Sequence, residues 1–213
     1  VYGDSPTLPK IETMAQAPRS PYAVAKLATE AYALAFAASY NLPAIALRYF
    51  NVYGPRQDPH SHYAAVIPRF VTRMLRGEPP MIYGDGLQSR DFTYVDDIVE
   101  GVLRVMQGAP EKMAGEDGLP LPPYAVYNIG GGQPENLLDY ISTLQEELVR
   151  ATVLPEDYDF EGHRELVGMQ PGDVPVTYAD SEALERDYGF RPTIGIRDGL
   201  RKFAEWYKGY YKA

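Results

Sequence analysis

Tyr22 and Lys26 stand four residues apart in "SPYAVAK", at the head of an alanine-rich stretch. On a helix, positions i and i+4 share a face, so the ammonium of Lys26 can sit beside the Tyr22 phenol and favour its ionised form. That makes Tyr22 usable as a base near neutral pH, which an isolated tyrosine with a pKa of about 10 is not. The 18 tyrosines and six lysines of the 213 residues give ~0.5 such spacings by chance, so the pair alone carries little weight. Other chemistry is poorly supplied. The chain has no cysteine, hence no disulfide framework and no thiolate metal site. His60, His62 and His163 fall in loop-like sequence without the i, i+4 spacing of a helical zinc pair, and no metal is expected.

The elements that must position the pair can be read from the chain. Proline at 6, 9, 18 and 21 makes the first twenty residues a loop. Tyr22 to Tyr40 reads as a helix, with Ser20 as its N-cap and Pro21 in its first turn. "LPAIALRYFNVYG" then gives a short, buried strand, and a helix feeding such a strand is the grammar of an α/β sheet. Further on, the pattern predicts a helix over 68–76, a short strand in "EPPMIYGDG" and a strand over 92–95. A helix with an apolar stripe of Ile98, Val99, Val102, Leu103 and Met106 follows. Residues 108–123 read as a loop, "YAVYNIGGG" as a second buried strand and 135–151 as the helix behind it. The stretch 154–176 reads as irregular apart from short strands, and two helices close the chain.

A length of 213 residues suffices for a full core, and 45% hydrophobic with 23% charged residues is the composition of a globular protein. A formal net charge of −9 repels phosphate backbones and anionic lipid, so neither nucleic acid nor membrane is expected as a partner. No apolar run approaches the ~18 residues of a membrane span and no signal peptide is read at Val1, so a cytoplasmic location is expected.

Order adds what spacing lacks. "SPYAVAKLATE", then "LRYFNVYGPRQ", "GDGLQSRDFTYVDDIVEG", "VYNIGGG" and "MQPGDVPVTYAD" together resemble the NAD-dependent epimerase/dehydratase family, the extended short-chain dehydrogenases that act on nucleotide sugars. The resemblance covers nearly all of the chain. It implies the C-terminal part of a Rossmann-like doubly wound parallel sheet plus a small α/β substrate-binding domain. Residues 1–52 and 92–151 would belong to the NAD-binding part, and 53–91 and 152–213 to the UDP-sugar-binding region.

Position by position, the resemblance makes Tyr22 the acid/base and Lys26 the lysine that holds the nicotinamide ribose and lowers the tyrosine pKa. Tyr49 and Phe50 would line the nicotinamide side. Asn51 and Arg90 would hold the substrate diphosphate, Val66 and Ile67 enclose the uracil, and Tyr83 stack on it. Asp173 would take the uridine ribose, Gln170 stands where many relatives carry an arginine, and Thr177 occupies a position that governs pocket width. A doubly charged diphosphate suits a guanidinium fork, and a ribose diol suits a carboxylate. Each residue taken singly also fits a bland role: Arg90 with Asp91 as a surface ion pair, Tyr83 as packing, Asn51 in a turn. The run Gly130–Gly132 is not GxGxxG, and no phosphate is expected on it.

The implied reaction is C4 epimerisation of a UDP-hexose with NAD as the bound cofactor. The tail resembles UDP-glucuronate 4-epimerases, whereas "RYFNVYGPRQDP" resembles UDP-glucose and UDP-N-acetylglucosamine 4-epimerases; a wide pocket is favoured. A 4,6-dehydratase or decarboxylase of the same family is the alternative, and a non-catalytic dinucleotide-binding sensor the alternative of another class. The family's glycine-rich NAD-binding turn, GxxGxxG, does not occur ahead of Tyr22, so these residues are expected to be the C-terminal portion of a longer enzyme. On that expectation this portion alone would have exposed sheet edges, bind NAD poorly and be inactive. The whole enzyme is expected to be a homodimer through the helix starting near Tyr22, which this portion alone would compromise.

Overall fold

The fold is a computed structural model and describes residues 1–57, 66–162, 164–168 and 175–212. The alanine-rich stretch forms α1 (Pro21–Tyr40), started as its residues dictate: the Ser20 hydroxyl accepts the Ala23 N–H at 3.2 Å, and Pro21 occupies the first turn, where no N–H is needed. Asn41 ends it at φ 55°, a left-handed conformation that asparagine tolerates. The chain then enters β1 (Ala44–Tyr49) after only three residues, so the strand runs back along the helix. The first turn of α1 and the carboxyl end of β1 therefore lie at the same end of the molecule.

The chain continues through β2 (Val52–Tyr53), α2 (Val66–Leu75), β3 (Met81–Tyr83), β4 (Ser89–Asp91), β5 (Thr93–Tyr94) and α3 (Val95–Val105). After them come β6 (Tyr124–Ile129), β7 (Pro134–Asn136), α4 (Leu137–Arg150), β8 (Glu165–Val167), β9 (Val176–Thr177), α5 (Glu182–Tyr188) and α6 (Ile196–Tyr211). Among the described residues β1 pairs with β6, β2 with β5, β3 with β8 and β4 with β9, all parallel; only β4 with β7 is antiparallel. Parallel pairing needs helical crossovers, and the fold is α/β as expected. β1 and β6 register from Ala44 against Tyr124 to Tyr49 against Ile129, and have no other strand neighbour among the described residues.

Two hydrophobic cores are present. The smaller places Ile98, Val105, Ile129, Leu184 and Phe190 around β6, α3 and α5. The larger gathers Ile67, Phe70 and Met74 of α2, Tyr140, Ile141 and Leu144 of α4, and Leu200 and Phe203 of α6 around Tyr53 and Tyr94. The cores cut across the division read from the sequence, since α4 belongs to the larger and α5 to the smaller.

Three local expectations are corrected. The strand expected over 92–95 is reduced to β5, Thr93–Tyr94, with a separate strand, β4, ahead of Phe92 and α3 already begun at Val95. The helix expected from Glu135 starts at Leu137, because the Asn136 side chain accepts the Leu138 and Asp139 N–H groups at 2.9 and 3.4 Å and leaves Pro134–Asn136 extended as β7. Of the apolar stripe on α3 and its C-cap, Ile98 is buried but Val99, Leu103 and Met106 are exposed.

Asp91 fastens the layers together. Its carboxylate is wholly buried and accepts the N–H groups of Gly131, Gly132 and Ala179 at 2.8, 3.1 and 2.9 Å. Burial pushes the carboxyl above the usual range, while the three amides pull the other way. A Cβ at Gly130 would lie 2.5 Å from Asp91 Oδ2 and 2.7 Å from Ala179 Cβ, which is why the turn after β6 needs glycine there.

Asp91→Ala leaves the Gly132 and Ala179 amides without an acceptor, while Gly131 keeps Thr93 Oγ1 at 3.2 Å, and each unsatisfied group costs ~1–3 kcal/mol. Urea unfolding should show a loss of about 3–5 kcal/mol, and an unchanged midpoint would refute the role of Asp91. The core tyrosines give a pH test. Burial pushes Tyr94 up to about 12 and raises Tyr53 and Tyr140 further. Their contribution is intact below the unfolded pKa of about 10 and falls above it by ~1.4 kcal/mol per pH unit per tyrosine. The urea midpoint should drop between about pH 9 and about pH 11; equal midpoints would contradict this.

Candidate active site

Tyr22 and Lys26 lie in the first two turns of α1 and share a face, with Lys26 Nζ 5.2 Å from the centre of the Tyr22 ring. The Tyr22 side chain is 49% exposed. An accessible phenol with an ammonium over its ring has the arrangement an acid/base tyrosine needs.

What pins the helix lies one turn further. Glu30 follows Lys26 on the same face, and Arg48 of β1 grips it with two parallel hydrogen bonds, Nε to Oε2 at 2.9 Å and Nη2 to Oε1 at 2.5 Å. Both side chains are about nine-tenths buried, at 8% and 11% exposure. Arg48 Nη1 also donates to the Tyr2 hydroxyl at 2.8 Å and to the Glu12 carbonyl at 3.1 Å. Tyr2 donates to Asn128 Oδ1 at 2.5 Å, and Asn128 Nδ2 donates to the Lys10 carbonyl at 2.8 Å. Burial opposes the guanidinium charge, yet the bonds to Glu30 and Tyr2 outweigh it and hold the Arg48 pKa above its ordinary value. The N-terminal loop, α1, β1 and β6 are thus one hydrogen-bonded unit.

A cleft of about 220 Å³ opens past the end of β1, smaller than the ~300–1,000 Å³ of most small-molecule sites. Asn51, Tyr83 and Arg90 line it together. Asn51 directly follows the β1 turn, its carbonyl accepting the Thr93 N–H at 3.0 Å. Tyr83 ends β3, and its carbonyl accepts Gln88 Nε2 at 2.8 Å. Arg90 neighbours Asp91 in β4 and therefore points the opposite way. Its Nη1 donates to the carbonyls of Ser89 and Pro175 at 2.9 and 3.3 Å. The surface ion pair between Arg90 and Asp91 is excluded by the burial of Asp91.

The other residues singled out from the sequence fall elsewhere. Tyr49 is half-exposed on a groove shared with Ile45, Leu47 and Met106, where burial raises its phenol pKa. Phe50 lies 6.4 Å from the Tyr2 ring, at the same strand end. Ile67 is wholly buried in the larger core beneath the cleft, and Val66 opens α2, its side chain outside the described set. Thr177 pairs with Arg90 across β9 and β4. Gln170 and Asp173 lie outside the described residues, as do His60, His62 and His163. Among the described residues no cluster of three metal-ligating side chains occurs, and no helix is long and apolar enough to cross a membrane. The amides of Gly130–Gly132 are taken up by Ser181 and Asp91, in keeping with a turn that holds no phosphate.

Sequence reasoning missed Arg69 and Arg73 on α2, Gln88, and the apolar walls Phe70, Phe92 and Leu137. The signal was present for the arginines: they stand at i and i+4, flanking the buried stripe of Ile67, Phe70, Val71 and Met74.

The model of a family described as "NAD dependent epimerase/dehydratase family" matches residues 1–130. A probable UDP-glucuronate 4-epimerase of Rhizobium meliloti is 34% identical over 222 residues, spanning 100% of this chain and 60% of that protein. Among solved structures, the UDP-N-acetylglucosamine 4-epimerase of Methanobrevibacter ruminantium, in complex with UDP-N-acetylmuramic acid, superposes with a TM-score of 0.78 at 34% identity, over 99% of this chain and 60% of that one. The dTDP-glucose 4,6-dehydratase of Bacillus anthracis, in complex with NAD, gives a TM-score of 0.75 at 27% identity, over 100% and 60%. The chain thus spans about three fifths of the length of these relatives.

Removing one partner of a buried ion pair strands the other, at ~3–5 kcal/mol. Arg48→Met and Glu30→Ala should each lower the unfolding free energy by about that much, and the double variant should lose less than the sum. Full additivity in a double-mutant cycle would show that the two side chains are not coupled.

Proposed function

The chain belongs to the NAD-dependent epimerase/dehydratase family, and from that premise we propose that the whole protein interconverts UDP-hexoses at C4. The observation that carries this reading is the Tyr22–Lys26 pair at the carboxyl end of the parallel strands, the end at which the Asn51 and Arg90 cleft also opens. Ligands of open α/β sheets bind outside the carboxyl ends of the strands, and the position of the pair and of the cleft supports the reading.

Tyr22 and Lys26, with Tyr49 and Phe50 at the end of β1, are the residues of this chain that would hold NAD. The accessible phenol and exposed ammonium of the first pair fit a ribose bearing hydroxyls. NAD supplies the hydride acceptor and donor at C4. Tyr22, as phenolate, takes the proton of the sugar 4-hydroxyl and returns it after the 4-keto sugar has presented its other face. The Lys26 ammonium stands 5.2 Å from the centre of that ring. Arg90 and Asn51 hold the diphosphate through this turn, with Tyr83, Val66 and Ile67 on the side of the base, Asp173 on the ribose, and Gln170 and Thr177 bounding the remainder.

UDP-glucuronate, UDP-N-acetylglucosamine and UDP-glucose are the candidate substrates. The Bacillus anthracis match favours a second reading, a nucleotide-sugar 4,6-dehydratase. Homodimerisation through α1 is part of the proposal. It is supported by Tyr32, Leu34, Phe36 and Tyr40, which leave a helix with a single buried residue, Ala37, exposed.

The whole protein should equilibrate each UDP-sugar with its C4 epimer in an NMR assay, without loss of water. Accumulation of a 4-keto-6-deoxy sugar would replace the epimerase by the dehydratase. Tyr22→Phe should lower kcat by ~10²–10⁴ while UDP affinity stays within about twofold. Wild-type turnover in that variant would remove Tyr22 from the chemistry.

A further inference from the structure

The described lining of the cleft carries three guanidinium groups, Arg69, Arg73 and Arg90, and no carboxylate, in a chain whose formal net charge is −9. A concave site lined by one sign of charge and walled by low-dielectric groups focuses its field, here onto an anion. Phe70, Phe92 and Leu137 are those walls.

The three arginines are not equivalent. Arg73 is committed to its surroundings: Nε donates to the Pro79 carbonyl at 2.7 Å, Nη1 meets Met81 Sδ at 3.1 Å, and the carboxylates of Glu78 and Glu165 lie at 3.9 and 4.0 Å. Arg90 is oriented by the main-chain carbonyls of Ser89 and Pro175, at 2.9 and 3.3 Å. Arg69 stands one turn before Arg73 on α2, is exposed, and has no ion pair among the described residues. A rigid fork of donors with no carboxylate partner among the described residues, lining the same small cleft as a second arginine, suits adjacent phosphoryl oxygens.

We infer that Arg69 is a diphosphate-binding residue that works with Arg90 and sets the preference of the site for a nucleoside diphosphate over the monophosphate and the nucleoside. The inference rests on the nucleotide-sugar reading above and names a residue that discriminates within it. Arg90 takes one phosphoryl group from β4 and Arg69 takes the other from α2. The pair grips two phosphoryl groups with two elements, and a ligand with one phosphoryl group engages only one of them.

The test is calorimetric titration of the whole protein with UDP, UMP and uridine, for wild type, Arg69→Gln and Arg69→Lys. Charge-assisted hydrogen bonds set the scale. Arg69→Gln should weaken UDP by ~10–100-fold and UMP by less, and leave uridine within about twofold, while Arg69→Lys recovers part of the UDP affinity. The side chain is exposed, so the melting temperature should not move and a folding defect is not the readout. Unchanged UDP affinity in Arg69→Gln, or equal weakening of UDP and uridine, overturns the inference and leaves the proposed function standing. A wild-type protein that does not prefer UDP to uridine removes the proposed function, and the inference with it.

Discussion

One buried carboxylate holds the site end of this molecule in place. Asp91 has surrendered its water to three backbone amides, two from the turn after β6 and one from the segment entering α5. An ionised group can be buried on those terms, because three directed donors replace the lost hydration; with fewer it would protonate or be expelled. The constraint spreads in both directions along the chain. It requires glycine at 130, since a side chain there would occupy the carboxylate's own position. It also turns Arg90 into the cleft, because neighbours in a strand face opposite ways.

A second buried charge does comparable work for the helix. Arg48 and Glu30 would be a poor source of net stability if judged by Coulomb attraction alone, since desolvation opposes it. Their value is geometric. Two parallel hydrogen bonds fix both the rotation and the height of α1 against β1, and Tyr22 and Lys26 stand on the same face as Glu30. A shift of one residue in that contact would rotate the pair by about 100° away from the strand end. The polar chain from Glu30 through Arg48 and Tyr2 to Asn128 also shows why the proline-rich N-terminal loop is ordered: its donors and acceptors are built into the sheet.

Much of this was legible from the residues. Ser20–Pro21 announced the start of α1, the apolar runs announced β1 and β6, and the Tyr22–Lys26 spacing announced the pair. What stayed hidden depends on partners distant in sequence. Asp91 beside Arg90 looks like an ion pair until β4 is known to be a strand with a different neighbour on each face. Glu135 and Asn136 read as the head of a helix until Asn136 is seen to be its cap. Arg69 and Arg73 lie within the helix read over 68–76, and only the fold of β3 and β4 against α2 makes their face a wall. The apolar residues Val99, Leu103 and Met106 carry helical periodicity, but periodicity does not name what they pack against.

The two cores explain how the Tyr22–Lys26 pair and the arginine-lined cleft come to share one end of the fold. Tyr22 and Lys26 are carried by the layer of α1, β1 and β6, whereas Tyr83 and Arg90 are carried by elements that meet α2 and α4. The link between them is short: β2 lies parallel to β5, with Val52 against Thr93 and Tyr53 against Tyr94, and the Asn51 carbonyl takes the Thr93 N–H at 3.0 Å. Asn51 is therefore the residue at which the strand from the first layer becomes part of the wall of the second. Under the proposed function, a sugar that presents its 4-hydroxyl to Tyr22 while its diphosphate stays at Arg90 needs these two groups at a fixed separation. That separation is set by a few backbone hydrogen bonds and by the buried tyrosines packed beneath them, at the junction of the two cores.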